Sequence, residues 1–159
     1  MVSPNQNIDV AVIKPTNLGA IYSGIDIATF DLLFGDEGFF VGFPFNLSTS
    51  DKSKLFGGFP IPIVKKLVFS GVLDDNGNLI YLFDGNNNPG FSGATVLFRD
   101  RKKKAAFKYD LVAIISGYRN QPSLISTPIG NIVFNENSGI IIAYGSEVIE
   151  EIIKENSGN

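Results

Sequence analysis

Short runs of apolar residues alternate along this chain with clusters of glycine, proline and asparagine. Runs of about four to eight apolar residues bounded by such turn formers are typical of strands in an antiparallel sandwich or barrel. The pattern predicts strands over residues 10–14, 39–43, 64–73, 79–83, 94–98, 111–116, 129–134 and 140–144. Residues 59–63 are interrupted by prolines, so they can lie only at an edge or a bulge.

The stretch "DDNG" (74–77) separates two of these strands. Asn76 and Gly77 suit a type I′ turn, because both central residues of that turn need positive φ. We therefore expect residues 64–73 and 79–83 to form a hairpin. The same stretch resembles the start of a calcium loop, but it lacks the glycine at the sixth place and the glutamate at the twelfth. A hairpin turn is favoured, and no metal site is predicted.

Near the end of the chain the apolar residues recur at the spacing of an α-helix. Val148, Ile149, Ile152 and Ile153 fall on one stripe, with acids in the first turn and Lys154 in the last, as the helix dipole favours. We expect a short helix over residues 146–155. Residues 16–37, with Gly19, Gly24 and four acids, are expected to form a long connection with little regular structure.

Composition narrows the possible chemistry. The chain has 159 residues, of which 44% are hydrophobic and 18% charged, so a single packed β-rich domain is expected. Its net charge of −3 gives no general attraction to nucleic acid or to an anionic membrane. Cysteine and histidine are both absent. Disulfides, thiolate chemistry, the commonest metal ligand and the usual neutral-pH base are therefore excluded, and no cofactor is predicted.

No apolar run approaches the roughly 20 residues that a membrane-spanning helix needs, and the first residues lack the pattern of a signal peptide. A soluble protein without a membrane partner is expected. The absence of cysteine favours the cytoplasm.

One turn is a candidate for catalysis. In "NNNPGFSGATVLF" (86–98), Ser92 stands between glycines just before an apolar strand. A nucleophilic serine needs a hydroxyl presented on a sharp turn, with backbone N–H groups nearby for the oxyanion. Glycines let those N–H groups converge, because no Cβ is in the way. An ordinary Pro-Gly turn is the other interpretation of this segment.

Several separated motifs resemble, in order, those of trypsin-like (chymotrypsin-fold) serine peptidases. "PGFSGATV" resembles the G-x-S-G-G turn around the nucleophile, and "IDVAVIKP" (8–15) resembles the strand that carries the catalytic aspartate, which places Asp9 there. "VGFP" (41–44) resembles the strand that opens the second barrel. "DLVAIISGYR" (110–119) resembles the strand that lies along the substrate, and "SGIIIAY" with the helix resembles the end of the family's chain.

This resemblance implies an all-β fold, an antiparallel six-stranded Greek-key barrel of the trypsin-like type with a short C-terminal α-helix. Residues 1–15 would be the last strand of a truncated N-terminal barrel, and residues 16–37 the connection between barrels. Residues 38–145 would form the C-terminal barrel, and residues 146–155 the helix.

The resemblance also implies a set of site residues. Ser92 would be the nucleophile, Asp9 would orient an imidazole, and the N–H groups of Gly90 and Ser92 would form the oxyanion hole. Asn86 would be the floor of the specificity pocket, and as an uncharged amide it gives no electrostatic preference for Lys or Arg. The other substrate-binding residues would be Ser116, Gly117 and Gly139.

The turn around Ser92 departs from the family pattern at Phe91 and at Ala94-Thr95. Phe91 stands where activated peptidases carry an acid that pairs with a new N-terminus, so activation by that route is not expected. Ala94-Thr95 replaces the usual Gly-Pro behind the nucleophile.

The absent histidine decides what the chain is expected to do. In this family the histidine lies upstream of the aspartate, in the first barrel. The sequence therefore predicts the nucleophile-bearing part of a serine endopeptidase that acts on peptides or proteins and is nearly inert without its missing N-terminal barrel. A lysine base is disfavoured, because no lysine stands at a spacing that predicts contact with Ser92.

Two alternatives stay open: a non-catalytic peptide- or protein-binding module on the same fold, and an unrelated all-β structural domain. An exposed strand at residues 8–14 also predicts self-association through its edge.

Overall fold

The computed structural model of the protein describes residues 8–13, 25–28, 32–46, 49–50, 60–75, 77–102 and 109–156. Six strands of this part form one antiparallel sheet that closes in a ring, and a short helix follows the last strand. The predicted all-β fold with a C-terminal helix is confirmed. The ring strands are β1 (Glu37–Gly42), β4 (Ile63–Asp75), β5 (Asn78–Asp84), β6 (Thr95–Arg99), β7 (Tyr109–Thr127) and β8 (Gly130–Gly145).

The remaining elements are small. Strands β2 (Thr49–Ser50) and β3 (Pro60–Ile61) pair with each other apart from the ring, as expected for a proline-interrupted segment. Helix α1 (Ser146–Asn156) continues directly from β8 and confirms the helix predicted over residues 146–155. Among the described residues, no helix has the length and apolar character needed to cross a membrane.

The strand order around the ring is β1-β4-β5-β8-β7-β6, and β6 pairs back with β1. The neighbours β1, β4 and β5 are followed by β6, which returns to lie beside β1 rather than beside β5. This order is that of a Greek key, in which a fourth strand returns beside the first. The predicted Greek-key connectivity is therefore confirmed.

Alternation along the strands fills the interior of the ring with large side chains. Residues at every second position of each strand point inward. Where the aromatic side chain of one strand lies against the backbone of the next, the residue beneath it must be small. A Cβ on Gly38 would lie 2.6 Å from Cε2 of Phe98, so only glycine fits there. The largest buried side chains of this core are Phe40, Phe83, Phe91, Phe98, Leu67, Ile115 and Ile141.

Residues 25–28, within the predicted connection, pair with β7 as a short piece of extended backbone. Ile27 pairs in parallel with Leu111, and the amide of Ala28 donates to the Leu111 carbonyl at 3.0 Å. The pairing of β8 with β7 ends at Gly145, opposite Ala113, so this piece takes over the edge of β7 that β8 leaves. The buried Ser146 hydroxyl fixes it by donating to the Ala28 carbonyl at 2.9 Å.

Residues 8–13 lie against the C-terminal helix. Ile8 and Val10 are buried in one cluster with Ile152, and Tyr144 and Val148 pack against it. Because side chains alternate along extended backbone, Asp9 points the other way and is exposed. The self-association expected for residues 8–14 stays a prediction, and α1 already covers the apolar side of this segment.

The hairpin over residues 64–73 and 79–83 is confirmed. β4 and β5 pair from Val68–Asp84 to Asp75–Asn78, and Gly77 has φ +88° as a type I′ turn requires. Asn76 itself lies outside the described residues, as do Lys14 and Phe59 of other predicted segments.

The last part of the sheet differs from the sequence prediction. The two strands expected at residues 129–134 and 140–144 are one continuous strand, β8, and β7 runs far past the predicted 111–116. Asn135 to Gly139 were expected to interrupt a strand because their composition is that of a turn. Asn135 to Asn137 instead pair with residues 120–122 of β7, and a bulge follows at Ser138 and Gly139. There the Gly139 amide donates to Oδ1 of Asn137 and the Gly139 carbonyl accepts from the Gly85 amide.

Candidate active site

The turn before β6 presents Ser92 to solvent. Phe91 is 1% exposed and directs its ring into the core, so the next side chain, Ser92, points outward. The turn is joined to β7 by hydrogen bonds from the Gly93 amide to the Ile115 carbonyl (2.8 Å) and from the Ile115 amide to the Ala94 carbonyl (2.9 Å). The Ser92 hydroxyl donates to the carbonyl of Ser116, the next residue of β7, at 3.0 Å.

Gly90 is required by geometry on one side of this turn. Its φ is +95°, and a Cβ would lie 2.8 Å from the backbone nitrogen of Phe45. Gly93, on the other side, has φ +83° and open space around it. Two residues that favour the left-handed region thus frame Ser92 and give the turn its sharp shape.

Backbone amides around Ser92 fall into two groups. The amides of Phe91 and Ala94 donate within the turn, at 3.3 Å to Asn88 and at 2.9 Å to Phe91, and that of Gly93 bonds to β7. The amides of Gly90 and Ser92 donate no hydrogen bond to any residue in the described part of the chain. These two are the donors that the oxyanion hole predicted from the sequence would use.

Asp9 and Ser92 line the same cleft, which we call the acid cleft. Its volume is about 420 Å³, and Asp9 is the one charged side chain in its lining. Ile114, Ile115 and Ile149 supply apolar wall beside these two residues. The lining consists of residues 9–13, 92–93, 114–116 and Ile149.

A second cleft meets Ser92 from the opposite side of the turn. It has a volume of about 370 Å³ and is lined by residues 41–43 and 92–95, Pro62 and Gly90. Ser92 therefore stands between two open clefts, one with a carboxylate and one without an ionisable side chain. An extended chain that crosses Ser92 has room on both sides of the hydroxyl.

No lysine or arginine of the described part lines either cleft at Ser92. Lys65 contacts the segment that precedes Ser92 in the sequence. Its Nζ donates to the Asn86 carbonyl and, at 2.8 Å, to Oδ1 of Asn88. It also lies over the rings of Phe40 and Phe91, and burial lowers the pKa of its ammonium group. These contacts hold residues 86–88 in place, and none of them involves Ser92.

The substrate-binding role expected for Asn86, Ser116, Gly117 and Gly139 stays a prediction. Asn86 is exposed, and it is the next residue, Asn87, that is buried and donates from Nδ2 to the Gly117 carbonyl at 3.1 Å. Gly139 joins the same region, because its carbonyl accepts from the Gly85 amide at 2.9 Å. Asn137 completes the cluster by donating to the Asn87 carbonyl.

Asn87, Asn137 and Lys65 were missed by sequence reasoning. Three asparagines in a row (86–88) give no periodic signal that separates the buried one from its neighbours. The buried Oδ1 of Asn87 has no hydrogen-bond partner among the described residues. The described residues also contain no group of three or more side chains that could hold a metal ion.

No protein-family model matches this sequence, and a search of curated proteins finds no match.

Proposed function

We propose that this chain is the nucleophile-bearing part of a trypsin-like serine endopeptidase, with its general base supplied by a histidine from outside the chain. The observation that carries the proposal is that Asp9 and Ser92 line one cleft. They are far apart in sequence, and the closed sheet with its docked N-terminal segment brings them to the same opening. In a catalytic triad the imidazole lies between the aspartate and the serine. A cleft lined by both residues is therefore where such a ring would bind.

The proposed reaction has two steps. The Ser92 hydroxyl attacks the scissile carbonyl and gives its proton to the imidazole, which passes it to the leaving amine as the C–N bond breaks. In the second step water attacks the acyl-serine. The imidazole takes the proton of the water and then gives it to the Ser92 oxygen as the ester bond breaks. The amides of Gly90 and Ser92, which donate to no described residue, are the proposed donors for the oxyanion, a contribution of about 10²–10³ in rate per donor.

The strand order supports this interpretation. The six ring strands close in a ring with a Greek-key order, which is compatible with the barrel that the resemblance implies, and residues 8–13 are not among them. In the proposal, residues 8–13 are the last strand of another barrel and carry Asp9 to the cleft. Without the histidine, only a residual acceleration of about 10³–10⁴ from binding and oxyanion stabilisation is expected.

The test is chemical rescue of Ser92. A serine-reactive fluorophosphonate is applied to this chain with and without added imidazole, and the labelled residue is identified by peptide mass spectrometry. We expect imidazole to accelerate labelling at Ser92, because the acid cleft can admit the missing ring. Asp9→Asn should reduce the rescue, and Ser126→Ala, at an exposed serine far along β7, should leave it unchanged.

Labelling that is equal in Asp9→Asn would remove Asp9 from the proposed machinery. No labelling of Ser92 at any imidazole concentration would reject the peptidase interpretation. That result would favour a non-catalytic peptide-binding module, for which the absence of histidine from the sequence is the supporting observation. The same probe applied to the full-length gene product extends the test, since a natural histidine should make added imidazole unnecessary.

A further inference from the structure

Lys65 lies on the inward face of β4, although lysine is rarely found inside a protein. Side chains alternate along the strand, and Lys65 stands two residues before the buried Leu67, so both point to the interior of the closed sheet. Lys66, the next residue, points outward and forms an exposed salt bridge with Glu37 at 2.6 Å. Two neighbouring lysines of one strand thus have different surroundings.

The ammonium group of Lys65 binds two oxygens of the asparagine segment 86–88. Its Nζ donates to the Asn86 carbonyl and, at 2.8 Å, to Oδ1 of Asn88. Within the described part of the chain, neither oxygen accepts a hydrogen bond from another residue. Hydrogen bonds from a charged donor are roughly twice as strong as neutral ones, so Lys65 is a strong attachment of this segment to β4.

The same ammonium group lies against the aromatic residues beneath the turn. Its Nζ lies 6.0 Å from the ring centroid of Phe40 and 5.7 Å from that of Phe91. A cation at this distance is attracted by the electron-rich face of a ring. Since the two rings also contact each other, Lys65, Phe40 and Phe91 form one cluster directly before Ser92 in the sequence.

One further hydrogen bond connects this cluster to the turn. Asn88 accepts from Lys65 with its side-chain oxygen, and its backbone carbonyl accepts from the Phe91 amide at 3.3 Å. On the far side the turn is joined directly to β7. The amides of Gly90 and Ser92, which donate to no described residue, lie between these two attachments in the sequence.

We propose that Lys65 is a positioning residue, which holds residues 86–91 against β4 and so sets where the amides of Gly90 and Ser92 lie. Lys65 lines neither cleft at Ser92, so it acts through the turn and not on a substrate. The consequence for catalysis rests on the proposed function, in which these two amides bind the oxyanion. A misplacement of about 1 Å can cost on the order of 10²-fold in rate, so release of the segment should slow reaction at Ser92.

The first test measures the turn directly, by hydrogen exchange of single amides followed by NMR. Lys65→Met keeps the apolar stem of the side chain and removes the ammonium group, and Lys66→Met is the matched control on the outward face. The Phe91 amide should exchange at least about tenfold faster in Lys65→Met, while the Ile115 amide, on the β7 side of the turn, is unchanged. A general loss of stability would accelerate both amides alike.

Restoring the side chain chemically separates the ammonium group from the other effects of substitution. The chain has no cysteine, so thiol alkylation of Lys65→Cys, done in denaturant before refolding, is confined to this position. 2-Bromoethylamine gives a side chain with the length and charge of lysine, whereas bromoethane gives an uncharged one. We expect the amine adduct alone to restore slow exchange of the Phe91 amide.

Labelling of Ser92 by the fluorophosphonate with added imidazole is the second measurement. It should fall by at least about tenfold in Lys65→Met, stay unchanged in Lys66→Met, and return with the amine adduct. The proposal is overturned if the Phe91 amide exchanges equally in wild type and Lys65→Met, if the bromoethane adduct restores the turn equally well, or if a labelled wild type and Lys65→Met react at the same rate. A wild type that is not labelled rejects the proposed function instead, and exchange of the Phe91 amide then decides for or against the positioning role.

Discussion

The ring of Phe91 meets the ring of Phe40 edge to face, with 4.8 Å between the ring centroids. Since the residue after Phe91 is Ser92, this contact fixes the turn that presents the hydroxyl. Phe91→Ala should reduce the free energy of unfolding by about 3–5 kcal/mol, because it removes a fully buried ring and leaves a cavity. Urea denaturation followed by circular dichroism measures this. A loss below about 1 kcal/mol would show that Phe91 does not anchor the turn.

Gly90 and Gly77 offer a matched pair for backbone strain. Both have positive φ, at +95° and +88°, but only at Gly90 would a Cβ meet backbone atoms within 4 Å. Gly77→Ala should cost about 1–2 kcal/mol for the left-handed conformation alone. Gly90→Ala should cost more, since Phe45 and its neighbours must also move. The difference in unfolding free energy between the two variants reports the close approach, and equal costs would contradict it.

Tyr81 links β5 to α1 by donating its hydroxyl to Oε1 of Glu147 at 2.9 Å. Burial, this hydrogen bond and the nearby negative charge raise the pKa of Tyr81 above its usual value of about 10. The folded state thus holds the proton more tightly than the unfolded state. The resulting stability is fully present below about pH 10 and is lost as pH rises through the folded pKa.

Tyr81→Phe removes this titration. The unfolding free energy of the wild type should therefore fall more steeply than that of Tyr81→Phe between about pH 10 and 12. Ultraviolet absorbance of tyrosinate gives a second measurement, because one tyrosine of the folded wild type should resist ionisation. Parallel pH curves for the two proteins would argue against the Tyr81–Glu147 hydrogen bond.

Substitutions of the buried Asn87 test the contribution of its hydrogen bond to the Gly117 carbonyl. Asn87→Ala leaves the Gly117 carbonyl without its donor and should cost about 1–3 kcal/mol. Asn87→Asp places a carboxylate oxygen against that carbonyl and should cost more at neutral pH. Because burial raises the pKa of the new carboxyl group, its protonated form can donate to Gly117, and the deficit relative to wild type should shrink as pH falls. A deficit that is independent of pH would contradict this geometry.

The parts of the fold that follow from local patterns were accessible from the sequence. The hairpin of β4 and β5 is defined by apolar alternation on both sides of a two-residue turn, and α1 by an apolar stripe with charges that match the dipole. Both are short-range signals, so neither depended on knowing where the rest of the chain lies.

The parts that depend on partners across the sheet were not accessible. The polar residues near Asn137 resemble a turn, and they form strand only because β7 lies beside them. Asn87 is buried because Gly117 lies opposite it, and nothing local distinguishes it from Asn86. The shared cleft of Asp9 and Ser92 was expected from resemblance to a family and not from any periodicity in the sequence.

The cluster of Ile8, Val10 and Ile152 joins the two extremities of the described chain. A protease nick or a deletion within α1 would therefore destabilise residues 8–13, because Ile8 and Val10 would lose their contact with Ile152. The position of Asp9 would change with them. Shortening α1 is thus an indirect way to reshape the acid cleft that Ser92 lines.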